Sequence, residues 1–151
     1  MSLSSKYELV LRLSNDQEKQ AALMFKTAHD ECIAAERDLE QAMQYRGEYL
    51  EISKGMVPSS LALIQLKAAR LFLVQVDKLI EHQQKLLLSR RGVLEARREA
   101  WQAAHAKTSS IRALIESREK VRTSATEKLH QRLLDDLFLS KQEGELAREL
   151  L

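Results

Sequence analysis

The chain has 151 residues, of which 30% are charged and 5% aromatic, with four glycines, one proline and one cysteine. A formal charge of +2 gives no general attraction to nucleic acid or to a membrane surface, and the lone Cys32 excludes an intrachain disulfide and a cysteine-based zinc site. The bulk of the composition is Ala, Leu, Glu, Gln, Lys and Arg, all good helix formers, so a narrow seam between helices is expected in place of a thick core.

In chain order, "MSLSSKYELVLRLSNDQEKQ" lacks the basic, apolar and small-residue regions of a secretory signal. No apolar run approaches the length of a membrane span. A cytoplasmic setting without membrane insertion is expected. A first helix is expected over about 6–52, with Gly47 inside it. Its apolar series is small: Met24, Ala28, Cys32, Ala35, Leu39, Ala42, Arg46, Tyr49. Small residues suit close approach to larger side chains opposite.

The strongest break follows. "SKGMVPSS" (53–60) holds Gly55 and the sole proline, Pro58, with Ser59 and Ser60 placed to cap a new helix. The second helix is then expected over about 61–148. Apolar doublets recur in it every seven residues: Leu79–Ile80, Leu86–Leu87, Val93–Leu94, Ala100–Trp101 and later Leu114–Ile115. Such a repeat is the signature of a left-handed coiled-coil seam. Gln83 or Gln84, Arg90 and Arg97 fall between the doublets and can cover the seam with their stems. The expected fold is all-α: one long antiparallel two-helix coiled-coil hairpin, residues 1–151, its second helix longer than its first.

Charge favours the same pairing. Residues 8–51 are net acidic and 85–122 net basic. Each exposed ion pair contributes only about 0–1 kcal/mol, but complementary flanks select partner and orientation. With the turn centred near residue 56, Lys6 falls opposite about residue 106. Ile111, Leu114, Ile115, Val121, Leu133, Leu134, Leu137 and Phe138 then have no partner within the chain. A stripe of that kind is ordinarily buried against something else.

Chemistry is sparse. There is no glycine-rich phosphate loop, nucleophile elbow or HExxH pair. "HDEC" puts His29 and Cys32 one turn apart, half of a metal site that nothing nearby completes. His82, His105 and His130 read as polar surface. No catalytic residue, metal or cofactor is therefore expected, and the protein is read as a non-enzyme. Arg90, Arg91, Arg97 and Arg98 form a basic stripe, open to three readings: neutralisation by the acidic first helix, nucleic acid, or a protein partner with an acidic surface. The stretch lacks aromatics for stacking bases, and Glu95 and Glu99 interrupt it, so no nucleic-acid partner is expected.

The remaining signal is aromatic. Tyr45 and Tyr49, one helical turn apart, close the first helix, and Phe72 stands about as far beyond the break. These rings either plug the closed end of the hairpin or anchor a partner. Gly47 between the tyrosines removes bulk, as if to admit a close approach.

"YRGEY" (45–49), Phe72, "LIEHQQKL" (79–86) and "REAWQ" (98–102) together resemble the FliJ family of flagellar type III export proteins. The resemblance covers about residues 30–120. It implies an antiparallel coiled coil similar to the stalk of rotary ATPases, whose terminal end enters the pore of a hexameric export ATPase. The other end would meet the cytoplasmic part of the membrane export gate, and the protein would escort export chaperones, peripheral to the inner membrane. Tyr45, Tyr49 and Phe72 match the family's gate-binding positions; Val76 and Leu79 neighbour them, with Ala42 and Gln83. At the other end Lys107, Arg112, Arg118 and Arg122, with Lys120, are charges able to meet the ATPase. Alternatives are a stalk of a virulence secretion system and a self-associating structural coiled coil.

Overall fold

A computed structural model describes residues 3–55 and 60–150. Two helices account for almost all of them: α1, Leu3–Lys54, and α2, Ser60–Glu149. The described residues contain no strand, and the helices pack on each other as an all-α hairpin with the longer element second. α1 ends where the Gly55 amide bonds the Ile52 carbonyl at 3.3 Å, a tightened last turn. Pro58 and Ser59 lie outside the described residues.

Contacts group the chain into two compact units, Asn15–His105 and Met1–Ser14 with Ala106–Leu151. In the first, burial follows alternating steps of three and four residues on both helices. On α1 the stripe runs through Ala21, Phe25, Ala28, Cys32, Ala35, Leu39 and Ala42 to Tyr49. On α2 it runs Leu66, Ala69, Leu73, Val76, Ile80, Gln83, Leu87, Arg90, Leu94, Arg97, Trp101. The second member of each apolar doublet is the one in the seam, while Leu79 and Val93, first members, are exposed. Met24 is also exposed; Phe25 takes the seam position and tilts against Trp101, ring centroids 6.1 Å apart.

The seam is small against large. Ala28, Cys32, Ala35 and Ala42 are buried on α1, Val76 and Leu87 on α2, with the small Ala69 on α2 nearer the turn. Alanines contribute little transfer energy of their own. Their role is to let the α2 aliphatics, each worth about 1.5–3 kcal/mol when fully buried, reach the opposing backbone. Polar seam positions weaken the fit. Gln83 Oε1 is buried without a hydrogen-bond partner, at a cost of about 1–3 kcal/mol.

In the unit holding the termini, Ser14 and Thr108 are both buried and their hydroxyls lie 2.8 Å apart. The Thr108 hydroxyl also donates to the Ser14 carbonyl at 3.3 Å. Arg118 lies over the Tyr7 ring, 4.7 Å from its centroid. These contacts correct the expected register. Lys6 does not fall opposite residue 106, and Ile111 and Ile115 are half-buried, not unpartnered. The meshing of seam positions sets the register, and it centres near residue 61, as Arg46–Asp77 and Tyr49–Phe72 in the other unit also show. Beyond them Val121, Leu133, Leu134, Leu137 and Phe138 remain exposed, as expected.

The buried hydroxyl pair generates a test. Thr108→Val should lower stability by about 1–2 kcal/mol by stranding the Ser14 hydroxyl. Adding Ser14→Ala should recover part of that loss, because both partners are then apolar. Thermal unfolding of the single and double variants followed by circular dichroism measures both; additive losses would mean that the pair is not coupled.

Candidate functional site

The aromatic positions near the end of α1 come together with the start of α2. The Tyr49 and Phe72 rings lie 4.3 Å apart between centroids, tilted by 37°, close enough for an attraction beyond area burial. Tyr49 is half-buried in the seam, whereas Tyr45, one turn earlier, is 53% exposed. The Tyr45 hydroxyl accepts a hydrogen bond from Gln41 Nε2 at 3.1 Å. That bond spans one helical turn and holds the ring along the helix flank. Phe72 and Leu79 are exposed, Val76 buried. Ala42, Tyr45, Phe72, Gln75, Val76 and Leu79 line one groove of about 240 Å³.

All five residues proposed for a gate contact are thus adjacent, but they divide. Tyr45, Phe72 and Leu79 present surface, while Tyr49 and Val76 support it from beneath. Arg46 Nε donates to Asp77 Oδ1 at 2.6 Å. Both side chains are about half exposed, so the bond fixes register more than it adds stability. Gly47 has a different place from the one its position in "YRGEY" suggests. Residues two apart on a helix do not face each other, so Gly47 points away from both rings. A Cβ added there would meet no atom within 4 Å.

The proposed ATPase-facing charges do not form one cluster. Arg118 and Arg122 line a groove of about 210 Å³ with Ser4, Tyr7, Glu8, Ile115 and Glu119. Lys107 and Arg112 lie outside that lining. Of the basic stripe, Arg90 bonds Glu31 at 3.0 Å and Arg91 bonds Glu36 at 3.5 Å, both carboxylates on α1. Arg98 bonds Glu95 on its own helix at 3.3 Å, and Arg97 Nη1 lies 3.9 Å from the Met24 sulfur. Cys32 is buried in the seam and His29 exposed, so the thiol is packed away from the imidazole.

One feature escaped the sequence reading. His105 is not an idle surface residue: its Nδ1 lies 2.7 Å from Glu18 Oε1, and its ring stacks on Trp101, centroids 5.3 Å apart and planes 16° apart. The spacing of Trp101 and His105, one turn apart, was the available signal. No helix of the described residues is long and apolar enough to cross a membrane.

A family model described as the flagellar FliJ protein matches residues 3–143. No curated protein matches the chain.

Gly47→Ala should raise stability by about 1 kcal/mol, the helix-propensity difference at an unobstructed site. Urea unfolding measures it. A loss of stability would show that the open space around Gly47 is needed within the hairpin itself.

Proposed function

The chain belongs to the FliJ family of flagellar export proteins, and from that premise we propose that it is a cytoplasmic, non-enzymatic coupling protein of the export apparatus. Its turn-proximal aromatic groove meets the cytoplasmic part of the membrane export gate, and its terminal unit meets the hexameric export ATPase. The observation that carries this reading is the groove itself. Tyr45, Phe72 and Leu79 are large apolar or amphipathic groups left exposed, with Tyr49 tilted against Phe72. Aromatic anchors in an open groove are what interface hot spots are built from.

The terminal unit contributes differently. Arg118, over the Tyr7 ring, and Arg122 share a groove with Glu8 and Glu119, a mixed-charge edge on a helix whose apolar residues Val121, Leu133, Leu134, Leu137 and Phe138 are exposed. Both features suit a partly apolar socket with charges of either sign at its rim. Lys107 and Arg112 belong to the same helix, outside the Arg118–Arg122 groove, and meet a different part of the ATPase surface. Among the described residues, no group of three or more His, Cys, Asp or Glu is placed to hold a metal ion. Any stimulation of ATP hydrolysis acts by favouring one conformation or assembly state of the ATPase over another. Escort of export chaperones belongs to the same reading.

The exposed tail also supports a second reading, a structural coiled coil that self-associates through residues beyond about 119. Sedimentation at micromolar concentration separates the two: a stable homodimer that is lost on truncation after Arg122 favours self-assembly, and a monomer favours the coupling role. For the gate contact, Tyr45→Ala, Tyr49→Ala and Phe72→Ala combined should weaken binding to the purified cytoplasmic domain of the gate by at least about tenfold. Helicity should be retained. Unchanged binding by a helical triple variant rejects the assignment of this groove.

A further inference from the structure

The first turns of α2 carry an outer face that the hairpin does not use. Leu66, Ala69, Leu73, Val76 and Ile80 turn towards α1. With about 3.6 residues per turn, Ile64, Leu71 and Lys78 point straight away from it. Lys67 and Val74 lie beside them, and Leu63 and Arg70 stand at one edge. The aliphatics on this face are open to solvent: Ile64 is 70% exposed and Leu71 68%. Phe72 and Leu79 of the aromatic groove lie about a quarter turn round the helix, so the two surfaces are separate.

The charges of this face are of one sign. From Ser60 to Val76, α2 has no acidic residue. Among the described residues, no ion pair engages Lys67, Arg70 or Lys78. The next carboxylates along α2 are already taken, Asp77 by Arg46 and Glu81 by Lys85 at 3.3 Å. Glu48 and Glu51, in the last turns of α1, are exposed on faces of that helix turned from α2. They are held on α1 itself, by Gln44 and Lys54. From Glu81 onward the outer face of α2 carries both signs. The chain as a whole is nearly neutral, so any attraction to negative charge is confined to this patch.

A ridge on the outside of one helix offers no walls to grip the side chains of a protein partner. A fluid bilayer surface needs none. It takes up aliphatic tips at the headgroup boundary, while lysine and arginine stems carry their charges to the phosphates. We propose that the outer face of α2 from Leu63 to Lys78 adsorbs to a membrane surface rich in anionic phospholipid. Ile64, Leu71 and Val74 enter the headgroup layer, and Lys67, Arg70 and Lys78 meet its phosphates. The contact runs along the surface and is not a span, since no helix of the described residues is long and apolar enough to cross a membrane. Three cations and a few aliphatics give a weak, salt-sensitive attachment. The inference goes beyond the gate and ATPase contacts and depends on neither.

The test is co-flotation of the full chain, at millimolar lipid, with vesicles of phosphatidylcholine alone or with about a third phosphatidylglycerol. The chain should partition onto the anionic vesicles at least about tenfold more strongly than onto the neutral ones, and high salt should remove most of the difference. Lys67→Gln with Arg70→Gln should lower partition by about tenfold or more, and Ile64→Ser with Leu71→Ser by about as much. All four positions are exposed, and circular dichroism should show helicity retained. Lys128→Gln with Arg132→Gln removes the same charge from the tail, whose exposed leucines are the rival contact, and should leave partition unchanged. The proposal is overturned by absence of adsorption, by equal adsorption to neutral vesicles, or by adsorption that survives Lys67→Gln with Arg70→Gln. Loss of adsorption through the tail change also overturns it. So does a Lys67→Gln, Arg70→Gln variant that binds the cytoplasmic domain of the gate more weakly while the parent ignores vesicles, because the occupant is then an acidic protein.

Discussion

Alanine-sized side chains along the middle of α1 allow a second helix to approach closely, and the leucines, valine and tryptophan of α2 fill the space so created. This size complementarity is what the rest depends on. Close approach brings the carboxylates of Glu31 and Glu36 within reach of Arg90 and Arg91, and it places Phe72 against Tyr49. Because the buried α1 residues are so small, the seam has little energy to spare. Polar interruptions such as Gln83 and Arg97 are therefore felt, and a large residue at Ala28 or Ala35 would separate the helices and every cross-helix contact with them.

The two-helix architecture was legible because heptad spacing and the cluster around Pro58 are local signals. The doublets of α2 were legible too, but only as doublets. Deciding that Ile80, Leu87 and Leu94 face α1 while Leu79 and Val93 face outward requires the phase of both helices at once, and α1 with its alanines gives a weak phase. The same weakness put Met24 into the seam in place of Phe25. Register was hidden for a related reason. The midpoint of the breaker cluster is a poor guide when the connection is not symmetric, and the Ser14–Thr108 bond that fixes the terminal register joins residues 94 apart. Gly47 adjoins two tyrosines in sequence, but helix geometry turns it away from their face, into open space. Of the candidate site, the adjacency of Tyr45, Tyr49 and Phe72 was readable, and the division between exposed and supporting rings was not.

Charge and apolar exposure are distributed differently in the two units. In Asn15–His105, Arg46, Arg90 and Arg91 pair with Asp77, Glu31 and Glu36 across the seam, so these charges are met within the hairpin. In the unit holding the termini, Val121, Leu133, Leu134, Leu137 and Phe138 are exposed, surface that association would cover.

Cys32 is the single thiol of the chain and lies buried between the helices. An alkylating reagent needs an accessible thiolate, so the closed hairpin hides its sulfur and only a separation of α1 from α2 presents it. The rate at which Cys32 is alkylated is therefore a clock for spontaneous unzipping at the centre of the molecule. It reads local opening free energy without any engineered label, and any ligand that clamps the two helices together will slow it.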